Sequence, residues 1–89
     1  MNEIQKQLRR DIEKQIGFKM LSSTDVKVLA SMLEEQNISG LGFNTLRRFW
    51  KLLPQTQPTQ NTLNKLSSFL GHSSFTDYLK EKNKYKNWH

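Results

Sequence analysis

Between positions 44 and 53 the chain divides into two faces at helical spacing. Leu46, Phe49, Trp50 and Leu53 fall at i, i+3, i+4 and i+7, the apolar stripe of a helix packed on a core. Asn44, Arg47, Arg48 and Lys51 repeat that spacing one face round. The pattern predicts a helix over 44–53, closed by Pro54. The second stripe carries three cations, no acid, and an amide able to bond a base edge or cap the helix. Taken alone, such a stripe is most often an ordinary solvated face.

The same reading gives four more helices. Ile4, Leu8, Ile12 and Ile16 recur every four residues, predicting a helix over 2–16 that stops at Gly17. Its stripe is narrow, so it is expected to lie across the domain or to pair with a second copy. Arg9, Arg10 and Lys14 stand among Glu3, Asp11 and Glu13, which reads as a mixed, solvated face. Phe18, Met20 and Leu21 form a buried connector. Ser22 and Asp25 have capping-box spacing and open a helix with Val26, Leu29, Ala30 and Leu33 inside. It ends at Glu34-Glu35-Gln36-Asn37, whose carboxylates are solvated charge. Residues 37–43 are a turn segment with two glycines, tied down by Ile38, Leu41 and Phe43.

Residues 54–60, polar and bracketed by Pro54 and Pro58, form an exposed loop. A helix over about 60–70 follows, capped by Thr59 or Asn61. Leu63, Leu66, Phe69 and Leu70 face inward, and Ser67 is small enough for a helix crossing. Gly71 ends it. Ser74 and Asp77 repeat the capping-box spacing and open a fifth helix to about residue 82. Residues 1–81 are therefore expected to form one all-α domain, a bundle of about five short helices. Residues 82–89 are expected to be a basic, flexible tail.

Composition narrows the class. Eighty-nine residues with 35% hydrophobic content and no Cys allow one economical core, with neither disulfides nor thiolate metal sites. No run approaches the ~20 apolar residues that span a bilayer, so no membrane association is expected. A small chain without cross-links is typical of the cytoplasm, which is the expected compartment. The net charge of +6 is polarised: residues 1–42 hold six basic and six acidic side chains, whereas 43–89 hold eight basic ones against Asp77 and Glu81. A basic half fits a polyanionic partner.

Catalytic patterns are missing. His72 and His89 are the only histidines, and there is no HExxH, P-loop or EF-hand spacing. Gly40-Leu41-Gly42 lacks the preceding strand, third glycine and lysine of a phosphate loop. A substrate cavity would consume the core at this length. No enzymatic activity, metal, cofactor or small-molecule substrate is expected.

Three blocks carry a family resemblance. Val28-Leu29-Ala30-Ser31-Met32-Leu33 is similar to the "xLAxxL" first helix of helix-turn-helix domains of the phage-repressor (Cro/CI-like) class. Asn44-Thr45-Leu46-Arg47-Arg48-Phe49 resembles the "SxxTLxR" recognition helix of that class. Pro58 to Gly71 resembles the helix that follows it. Together with Ser73–Tyr78, these blocks also resemble N-terminal regions of uncharacterised bacterial proteins. The resemblance implies a helix-turn-helix-like core and a bacterial transcription-regulator-like module. The chain departs from the class between its two reading helices, where residues 34–43 replace a turn of three or four residues. The 44–53 helix can then be the reader, or the first of a pair in which 60–70 reads.

The expected function is double-stranded DNA binding through Asn44, Thr45, Arg47, Arg48 and Lys51, with Asn61, Asn64 and Lys65 as further contacts. So small a module usually needs a second copy, and the Ile4/Leu8/Ile12/Ile16 stripe is the expected homodimer element. The alternative is a non-catalytic protein-interaction or adaptor domain, the N-terminal part of a larger protein, whose basic face docks an acidic partner.

Overall fold

The computed structural model describes residues 2–54 and 57–86, with side chains for 3–54 and 57–82. Five helices follow one another: α1 (Asn2–Ile16), α2 (Ser23–Glu35), α3 (Phe43–Phe49), α4 (Gln60–Phe69) and α5 (Phe75–Lys86). No strand occurs among the described residues. The all-α bundle is thus the one expected.

All five helices contribute to a single core. Leu8 and Ile12 from α1, Leu29 and Leu33 from α2, Leu46 and Phe49 from α3, Leu66 and Phe69 from α4, and Phe75 and Tyr78 from α5 are all buried together. Ser67 is fully buried on α4, its hydroxyl donating to the Leu63 carbonyl at 2.8 Å, so a small residue lets neighbouring helices approach.

The helix ends explain the boundaries. The Asp25 carboxylate accepts from the amides of Leu21 (2.9 Å) and Ser22 (3.1 Å), fixing the start of α2. Thr59 Oγ1 accepts from the Thr62 amide at 3.2 Å and caps α4. Three helices close alike, with a residue at positive φ and two reversed amide bonds, the Schellman arrangement. In α4 that residue is Gly71 (φ 95), with the His72 amide donating to the Ser67 carbonyl at 3.0 Å. In α2 it is Asn37 (φ 62). In α3 it is Lys51 (φ 63), with the Leu52 amide donating to the Arg47 carbonyl at 2.8 Å.

Leu21, expected in a buried connector, is instead 75% exposed. Three further expectations need correction. The reading helix does not run to Leu53. It ends at Phe49 because Lys51 takes the left-handed conformation, and Pro54 disfavours helical backbone at the residue before it. The fifth helix does not end at about residue 82 but continues to Lys86. Lys82 itself folds back, its ammonium 2.8 Å from the Asp11 carboxylate of α1. Residues 87–89 lie outside the described residues.

The third concerns the proposed dimer stripe. Leu8 and Ile12 are wholly buried within the chain, and Ile4 and Ile16 pack against the same core. Pairing through them would require opening the domain. The helix is instead locked in place by polar contacts. The Tyr78 hydroxyl donates to Asp11 at 2.7 Å, Gln15 Nε2 donates to the Phe69 carbonyl at 2.9 Å, and Arg9 donates to the Phe49 carbonyl at 3.2 Å.

Candidate nucleic-acid interface

The basic helix α3 is only seven residues long and is anchored by Leu46, Phe49 and Trp50, all buried. The Trp50 indole meets Phe49 edge-on at 5.2 Å, and its Nε1 is enclosed without a hydrogen-bond acceptor among the described residues. Arg9, expected to be solvated, is half-buried. Its guanidinium lies 5.3 Å from the Phe49 ring centre. Burial lowers its pKa, with the nearby Glu13 charge opposing the shift.

The predicted reading residues separate into three groups. Asn44 and Arg47 form a pair: Arg47 Nη1 donates to Asn44 Oδ1 at 3.1 Å, and the guanidinium stands over the Phe43 ring at 5.0 Å. Arg47 is half-buried rather than freely exposed, and its Nε is enclosed with no partner among the described residues. Lys27 approaches the same ring from α2, at 6.0 Å, so Phe43 has two cations against it.

Thr45, Arg48 and Asn61 form the second group. They line one cleft of about 280 Å³ between α3 and the start of α4, together with Gly40, Phe49, Gln57, Pro58, Thr59 and Thr62. Arg48 and Asn61 are exposed. Lys51 is exposed just beyond the end of α3. The cleft thus gathers a guanidinium, a carboxamide and threonine hydroxyls, groups suited to phosphate oxygens and base edges.

The remaining two residues hold the fold. Asn64 Oδ1 accepts from the Phe75 amide at 2.9 Å and from Gln60 Nε2 at 3.1 Å, so it caps α5 from a distance. Its Oδ1 is therefore already engaged within the fold. The Lys65 ammonium donates to the Ser39 carbonyl and presses against Gly40, pinning the α2–α3 connection. Gly40 sits at φ 87, and a side chain there would collide with that ammonium.

Sequence reasoning did not place Lys27, Phe43 or Gln57 at the site, took Thr59 only as a helix cap, and took Arg9 as solvated. Phe43 was expected only as a loop anchor, and nothing local to Arg9 or Lys27 marks the contacts they make on other helices. Among the described residues, no three His, Asp or Glu side chains are grouped to hold a metal ion. No described helix is long and apolar enough to cross a membrane. Compared with known proteins, the chain matches no family model, no curated protein and no solved structure.

Proposed function

We propose that this domain binds double-stranded DNA, as a bacterial transcription-regulator-like module, with α3 and the start of α4 facing the duplex. The carrying observation is the convergence of Arg48, Thr45 and Asn61 on one cleft, flanked by Arg47 and by Lys51. No acid interrupts this surface in sequence: the chain from Gln36 to Thr76 contains no Asp or Glu. Arg48 and Lys51 supply phosphate contacts, and Thr45 and Asn61 add neutral hydrogen bonds that set register.

The test is a fluorescence-anisotropy titration against a random-sequence duplex at roughly 50 and 200 mM salt. Two phosphate contacts should cost about tenfold in affinity over that range, and each further one about three- to fourfold more. Arg48→Ala should weaken binding at either salt while leaving the circular-dichroism spectrum unchanged, because the side chain is exposed. An absence of duplex binding at the lower salt would sink this reading. The long connection between α2 and α3 would then favour an adaptor that docks an acidic protein.

A further inference from the structure

We propose, resting on the DNA-binding reading above, that Phe43, Asn44 and Arg47 form one specificity-determining unit that selects guanine in the major groove. An asparagine acting alone reads adenine, donating to N7 and accepting from the N6 amino group. Asn44 is not in that state. Its Oδ1 already accepts from Arg47 Nη1 at 3.1 Å, which engages one of the oxygen's two lone pairs and ties the amide to the guanidinium, while its NH₂ remains a donor.

Arg47 brings donors only, since a guanidinium has no acceptor. Its Nε is enclosed, which leaves the edge formed by the two Nη nitrogens to meet a ligand. Phe43 lies against the guanidinium at 5.0 Å while Asn44 bonds its rim, so the fork is held before any partner arrives. Holding it in advance reduces the rotamer entropy lost on binding. The guanidinium fork is the donor-only part of this surface, beside the Asn44 NH₂ and the one lone pair left on its Oδ1. In the major groove only guanine displays two acceptors, N7 and O6, with no donor; adenine and cytosine each place an amino group where the fork would meet it donor against donor.

Sites are selected from a random duplex library with the full chain, then compared by anisotropy at fixed salt. The selected sites should share a guanine. Replacing it with adenine, or with 7-deazaguanine to delete only the N7 acceptor, should weaken binding about tenfold or more. Because the change is made in the DNA, this arm does not depend on a variant folding. Arg47→Lys keeps the charge but loses the fork, and should bind random duplex nearly as the parent does while losing the guanine preference. Asn44→Ala should reduce that preference without altering the helical spectrum. Duplex binding with no shared guanine, or full discrimination by Arg47→Lys, overturns this inference alone. Absence of binding to any duplex at low salt overturns the DNA reading and this inference with it.

Discussion

Removing the Tyr78 hydroxyl and the Asp11 carboxylate, singly and together, tests how the two ends of the chain are joined. The ring of Tyr78 is fully buried, and its hydroxyl donates to Asp11 at 2.7 Å across a separation of 67 residues. Asp11 also accepts from Gln7 Nε2 at 2.9 Å and pairs with Lys82 at 2.8 Å. A hydrogen bond to a charged group contributes about 1.5–3 kcal/mol, whereas a partly exposed ion pair adds under about 1. Tyr78→Phe leaves the carboxylate its other partners and should cost about 1.5 kcal/mol. Asp11→Ala strands a buried hydroxyl and frees Lys82, and should cost about 2–3 kcal/mol. The double variant strands nothing, so its cost should fall short of the sum by about 1.5 kcal/mol. Urea unfolding followed by circular dichroism at neutral pH reads all four proteins. A coupling below about 0.5 kcal/mol would refute the view that this bond ties α5 to α1.

The same node sets a pH signature. Burial alone would raise the Asp11 pKa, but the hydrogen bonds from Lys82, Tyr78 and Gln7 and the ammonium charge outweigh it, and the value is lowered. A lowered carboxyl pKa stabilises the fold above the unfolded value of about 3.9, and that contribution disappears as pH falls through the folded value. The advantage of the parent over Asp11→Asn should therefore shrink below about pH 4. The Tyr78 pKa is raised, by burial first and then by its bond to Asp11 and that carboxylate's charge. Its contribution is complete below the unfolded value of about 10 and is lost as pH rises beyond it.

Two further substitutions probe the connections. Gly40→Ala should destabilise by about 1–2 kcal/mol, from the strain of a side chain at φ 87 plus displacement of Lys65, measured as a lower urea midpoint with an unchanged slope. Ile12→Ala empties part of the domain's own core and should cost about 2–5 kcal/mol. Its unfolding midpoint should not vary with protein concentration; a strong dependence would instead restore this helix as a dimer element.

Most of the helical architecture was legible because periodicity and caps act locally. Asp25 bonds within four residues of itself, Thr59 within three, and Gly71 closes α4 by backbone freedom alone. The end of α3 was not legible, because the residue in the left-handed conformation is a lysine. Lysine carries no sequence signal for that role, whereas the apolar spacing continued to Leu53. The stripe of α1 was read as apolar and left open between lying across the domain and pairing with a second copy, and Leu8 and Ile12 are buried within the chain. Periodicity says which face must be covered, and only the tertiary contacts say by what.

The polar residues were harder, and for one physical reason. A side chain's availability depends on partners that lie far away in sequence. Lys65 is engaged by a carbonyl 26 residues away, Asn64 by an amide 11 residues away, and Arg9 by a carbonyl 40 residues away. A domain of this size buries a modest core and has three long connections to hold. It recruits polar side chains for that work, and each one recruited is less free to meet a partner. The stretch that looked like a broad basic face therefore narrows to Arg48 and Lys51 as exposed cations, Thr45 and Asn61 beside them, and an Arg47 already committed to Asn44 and Phe43. Whatever selectivity this surface has must come from that held arrangement, because the exposed charges alone attract any polyanion.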